Sequence, residues 1–142
     1  MMKLPISILC ICVVFFLSFR KDDTVDLYRQ SLKFYIGNSK VDTIYVLKCP
    51  DINIPEKIGR IAIIDIESSE VDLIKQKGIL NAVKLMPIEL NKNVIEITLV
   101  DFVLTEENKE RIMKNFGSVT YGFQFDDAKK MYKLIKTIKH PI

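Results

Sequence analysis

SVTYGFQFD, residues 118–126, alternates without error. Val119, Tyr121, Phe123 and Phe125 fall on one parity; Ser118, Thr120, Gly122 and Gln124 fall on the other. Successive side chains of a strand point to opposite faces. The stretch therefore predicts a strand with one buried face and one that is wet or turned towards a partner. Gly122 interrupts the polar row and predicts a bulge there. Such a strand needs neighbours, and the flanking sequence supplies them.

AVKLMPIEL (82–90) and VIEITLVDFVL (94–104) flank Asn91-Lys92-Asn93, which predicts a hairpin with a three-residue turn. Pro87 places the first of these strands at an edge or a bulge, because proline cannot donate to a ladder. VDTIYVL (41–47) is β-branched and aromatic and predicts a strand that Cys49-Pro50 ends. RIAIIDI (60–66) predicts another, apolar enough to be central. Val25, Tyr28, Leu32, Tyr35 and Ile36 keep the three-and-four spacing of a helix face, from a cap at Asp23 or Thr24 to a stop at Gly37-Asn38. Ser68 or Ser69 with Glu70 opens a second, short helix; Val71, Leu73 and Ile74 face inward and Gly78 closes it.

Two segments read both ways. TEENKERIMKNFG (105–117) carries helix signals: Thr105 as cap, acids in the first turn and Gly117 as stop. It equally fits the return strand of a hairpin turning at Asn115-Phe116-Gly117. KMYKLIKTIKH (130–140) has Met131, Leu134, Ile135 and Ile138 at helical spacing, yet Tyr132, Leu134 and Ile138 also suit a strand. The strand is preferred, because the strand at 118–126 ends in a turn at Asp126–Lys129 and needs a partner.

Residues Leu4 to Phe19, LPISILCICVVFFLSF, carry no charge and run straight into Arg20-Lys21-Asp22-Asp23. Lys3 and the amino terminus supply a positive start. The apolar run from Ile6 to Phe19 is near the upper length of a signal and below the ~18–20 residues that span a bilayer comfortably. The expectation for residues 1–20 is a signal peptide or a membrane anchor, with attachment through residues 4–19 in the second case. Phe16 stands where a small residue would favour cleavage after Ser18, and neither Cys10 nor Cys12 follows the small residue that lipid modification wants. Residues 21–142 then form one exported domain, periplasmic or extracellular, or held at the inner membrane.

Without Lys3 and Arg20 the chain carries 19 basic and 18 acidic residues, about +1. That balance argues against nucleic acid, which selects a clustered basic face. Cys49 is the one cysteine outside the leader, so a disulfide scaffold is not expected, and a partly buried thiol is.

IPEKIG (54–59), the helix ending at Gly78, MPIEL, NKN and IEITLVDF follow one another in an order that resembles small exported bacterial proteins of unknown function, of the type common in Bacteroidota. The resemblance covers residues 25–138. It implies a cystatin-like or nuclear-transport-factor-like roll, in which helices pack on a curved antiparallel sheet, and it implies strands in both of the undecided segments. It implies no activity.

Catalytic constellations are scarce. His140 is the single histidine and sits at the frayed end. Neither a Ser/His/acid system nor a four-ligand zinc site can be assembled with it. The glycines are scattered singly, so there is no phosphate loop, and no cofactor is expected. The paired acids 22–23, 106–107 and 126–127 suit helix starts and turns. Asp65 and Asp101 are different, since each interrupts an apolar strand, where an acid is costly unless paired or wet. They lie at outward or edge positions, or they form a polar floor to a pocket with Tyr121 or Tyr45 nearby. Lys129, Lys130, Lys133, Lys136 and Lys139 make a basic ribbon that suits a solvated edge or an anionic partner. The expected function is a non-catalytic domain that binds a protein or a small ligand through a sheet face. One alternative is a small enzyme in which Asp65 and Asp101 converge on one water or ligand; another is an inhibitor or immunity-type protein.

Overall fold

The alternating stretch lies in the longest strand of an eight-stranded sheet. The computed structural model describes residues 21–37, 39–67 and 70–142. The leader and the Ser68/Ser69 cap lie outside the described residues. The elements run α1 (Lys21–Ile36), β1 (Thr43–Leu47), β2 (Lys57–Ile58), β3 (Ile61–Asp65), α2 (Glu70–Lys77), β4 (Ile79–Leu85), β5 (Glu89–Asn91), β6 (Val94–Glu107), β7 (Glu110–Asp126) and β8 (Met131–His140). The class is α+β, with the sheet curled into a half-barrel. The strand order is β2-β3-β1-β4-β6-β7-β8, and β5 pairs with β6.

The sheet is not wholly antiparallel, which corrects the expectation. β1 pairs in parallel with both β3 and β4, while β4, β6, β7 and β8 form an antiparallel meander. Parallel neighbours need a crossover of about a dozen residues or more. The segment 48–60 provides one between β1 and β3, and α2 provides the other between β3 and β4. The near-continuous apolar run of β3 is what such a strand requires. Hydrophobicity reports burial but not strand direction, so the parallel unit was not readable.

Each face of the sheet has its own helix. Leu27, Leu32 and Ile36 of α1 pack with Val46, Leu85 and Phe123 in the larger core. Ile74 of α2 packs with Ile66, Leu80, Ala82, Phe102 and Leu104 in a smaller one on the other face. The α1 stripe is wider than the spacing suggested, because Leu27 and Ser31 are also fully buried, and the Ser31 hydroxyl donates to the Leu27 carbonyl at 2.9 Å. The helix starts by Lys21, so Asp23 and Thr24 lie within it rather than at its cap.

Both undecided segments are strands. The β6–β7 hairpin turns at Asn108-Lys109, both with positive φ (53° and 65°), the signature of a two-residue primed turn. Asn115–Gly117 is therefore not the turn. It is a bulge: Asp101 pairs with Gly117 and Phe102 with Asn115, leaving Phe116 as the extra residue. The turn after β5 is likewise shorter than expected, since Asn91 pairs with Val94 around Lys92-Asn93. Pro87 falls in the break between β4 and β5, where the Met86 amide still donates to the Thr98 carbonyl at 3.0 Å.

Gly122 does sit at a register shift, but the extra residue, Ile135, belongs to β8. The glycine has a second purpose. A Cβ there would lie 2.5 Å from Cγ of Lys136. The missing side chain lets the Lys136 stem cross β7 and reach Glu96 on β6, with which it forms an ion pair.

Candidate functional site

α1 ends over the middle of the sheet. The Gly37 amide donates to the Lys33 carbonyl at 3.0 Å, and Gly37 takes φ +51°. The last turn thereby holds Phe34 and Tyr35 above β6 and β7. The Tyr35 hydroxyl donates to Oδ1 of Asp101. Asp101 lies in β6 opposite Val83 of β4 on one side and Gly117 of β7 on the other.

The space under the end of α1 is a cleft with two lobes. The first has a volume of about 610 Å³ and runs along Ile44, Val83, Val103 and Val41. The second, about 520 Å³, runs along Phe34, Ser118, Tyr121, Lys139 and His140. Tyr35, Asp101 and Phe116 line both lobes and form the ridge between them. Phe34 and Phe116 are 47% and 59% exposed, so two large rings stand unburied at the mouth. The Phe34 ring lies 5.9 Å from Tyr121 and 6.5 Å from Phe123.

The bulge makes this geometry. Inserting one residue into β7 turns Phe116 out of the ladder and re-aims the strand, as bulges beside functional sites do. Gly117 follows with φ +124°, and a Cβ there would come to 3.0 Å from the His140 carbonyl oxygen. Side-chain-bearing residues avoid that backbone region. The Asn115 carboxamide accepts the Gly117 amide at 2.8 Å and fixes the kink.

Electrostatically the cleft keeps its phenols protonated. Burial, and then the hydrogen bond to Asp101 and its charge, push the Tyr35 phenol far above the usual tyrosine range. Burial, with the Asp101 charge second, also raises Tyr121. Tyr28, deeper in the core and donating to the Met86 carbonyl at 3.2 Å, is pushed up to about 12, mainly by burial.

Of the residues singled out in the sequence, Asp101, Tyr45 and Tyr121 line this cleft, Tyr45 in the first lobe and Tyr121 in the second, where the Asp101 charge acts on the Tyr121 phenol. Asp65 does not join them. It forms an ion pair with Lys48 at 3.2 Å and accepts the Glu67 amide at 3.1 Å. Pairing places Asp65, Val46, Val83 and Asp101 in one row across β3, β1, β4 and β6. Three strand spacings separate the two acids, about 14 Å along the sheet, and the two valines between them are buried. The Tyr45 ring packs with the other core, 5.4 Å beneath the Lys77 ammonium.

Tyr35, Phe34 and Phe116 were not anticipated as site residues. Tyr35 has a faint signal, since a tyrosine closing an apolar helix stripe needs a partner for its hydroxyl. Phe116 has none, because it stands beside a glycine that also reads as a turn. Cys49 is free, half-buried and packed against the larger core. Among the described residues no group of three or more His, Cys, Asp or Glu is placed to hold a metal ion. No helix among them is long and apolar enough to cross a membrane. Comparison with known proteins finds no matching family, no matching curated protein and no matching solved structure.

Proposed function

We propose that this chain is an exported or membrane-tethered binding domain, without catalysis of its own, that takes a small ligand in the cleft between α1 and the bulged β6–β7 hairpin. One observation carries the reading: a carboxylate and its phenol donor sit at the ridge of a concave site whose mouth holds two unburied phenylalanine rings. Each lobe falls in the size range of small-molecule pockets, which are mostly apolar with a few convergent polar groups. The concavity favours a small ligand over a flat protein face, and with it over an inhibitor or immunity role. The enzyme reading loses its second carboxylate, since Lys48 holds Asp65 at a distant row position. Within the proposal, the chain is a relative of the exported Bacteroidota-type proteins it resembles. Its fold is then a variant of the cystatin-like roll, with a parallel unit in the N-terminal half of the sheet.

Amide shift mapping of the ¹⁵N-labelled chain against a fragment library tests the cleft. Saturable shifts centred on Tyr35, Asp101, Phe116 and Tyr121 are expected. Shifts confined to the β8 edge would instead place recognition on the basic ribbon. Export rests on residues 1–20 and has its own test in cell fractionation with N-terminal sequencing. A mature start near residues 19–21, or full-length protein in the membrane fraction, is expected; full-length protein in the cytosol would contradict export.

A further inference from the structure

The two lobes differ in charge. Asp101 is the single charged side chain among the described residues lining the first lobe; the rest are apolar, hydroxyl or amide groups. Lys139 and His140 lie along the second. A carboxylate beside apolar walls is costly unless something compensates it. Its donor in the structure is neutral, the Tyr35 hydroxyl. Among the described residues no lysine or arginine forms an ion pair with Asp101: Lys48 is held by Asp65 and Glu67, and Lys136 by Glu96. Phe116, 59% exposed, lines the same lobe as that carboxylate.

From this asymmetry we infer that the first lobe binds a small organic cation, an ammonium with an apolar body. Its charge lies against Asp101 and the face of Phe116, and its body lies along Ile44, Val83 and Val103. The inference rests on the cleft being the binding site and adds the class of ligand. A cation gains from the carboxylate and from the electron-rich face of the ring together. A neutral isostere gains from neither, and an anion is repelled. The Tyr35 phenol, kept protonated, stays a donor and holds the carboxylate in place without neutralising it.

The test uses the full chain and three probes of one shape: benzylammonium, benzyl alcohol and benzoate, titrated separately and followed by amide shifts. Benzylammonium is expected to shift Tyr35, Asp101, Val103 and Phe116 saturably, with an affinity about tenfold above that of benzyl alcohol. Benzoate should not bind there. Asp101→Asn should abolish the preference for the cation and leave binding of the alcohol intact. Phe116→Leu keeps the carboxylate and removes the ring, and it should lower the preference for the cation over the alcohol, so it tests the inference if Asp101→Asn fails to fold. Equal binding of cation and alcohol in the cleft would overturn the cation while leaving the cleft as the site. Failure of all three probes to bind in the cleft would overturn both.

Discussion

Phe123→Ala is expected to lower the stability of the folded chain by about 4 kcal/mol, while Phe125→Ala, two residues along the same strand, should cost less than about 1 kcal/mol. Phe123 is fully buried, at 0% exposure, and packs with α1 in the larger core. Truncating it removes its transfer free energy and leaves a cavity that the α1–sheet contact can only partly close. Phe125 is 43% exposed and touches Tyr132 edge-on, with ring centres 5.2 Å apart. A loss of about 4 kcal/mol is a large fraction of the roughly 5–15 kcal/mol that holds a domain together. Urea unfolding of both variants followed by circular dichroism checks the contrast. Equal losses would mean that α1 does not cover β7 as described.

The second large effect is expected at the ridge of the cleft. Asp101→Ala should cost about 2 kcal/mol, because it strands the half-buried Tyr35 hydroxyl and removes a hydrogen bond to a charged acceptor. Tyr35→Phe should cost a similar amount, since it leaves the carboxylate without its donor among apolar neighbours. The two losses have the same origin, yet they come from residues 66 positions apart in sequence. The Asp101→Ala change has a spectroscopic consequence as well. With the carboxylate gone, the Tyr35 phenol loses two of the causes that raise it and Tyr121 loses one, so alkaline ultraviolet titration should show both tyrosines moving back towards the ordinary range while the fold persists.

Much of this architecture was legible because the sheet has one period and the helices another. The alternation at 118–126 does bury Val119, Tyr121 and Phe123. It could not say that Phe125 runs past the edge of the core, because alternation gives a face and not an extent. Nor does it mark the opposite face correctly throughout: Thr120 is buried and bonded to Thr98 at 2.9 Å. The turn at Asn108-Lys109 was hidden because lysine, not glycine, takes its second positive-φ position. That left the acids of 105–110 free to read as a helix start. The parallel pairing of β1 was hidden for a different reason, since register and direction are properties of two segments and a periodicity belongs to one.

The site was half legible by the same logic. Asp101 could be marked as anomalous within its own strand, because a lone acid in an apolar run is costly wherever it lands. Asp65 looked the same locally, and only tertiary structure separates them. One acid meets Lys48 at the strand end, whereas the other meets a tyrosine delivered by a distant helix. Phe116 acquires its position from a one-residue misfit between two strands, which no single-strand pattern encodes.

Everything proposed for the cleft depends on α1 being tied to β6 through Tyr35 and Asp101. A double-mutant cycle on the stability of Tyr35→Phe, Asp101→Ala and the pair measures that tie directly. A favourable coupling of about 1–2 kcal/mol is expected for a hydrogen bond to a carboxylate. Strictly additive losses, with a coupling indistinguishable from zero, would mean that the end of α1 does not close over this face and that the cleft as drawn does not exist in solution.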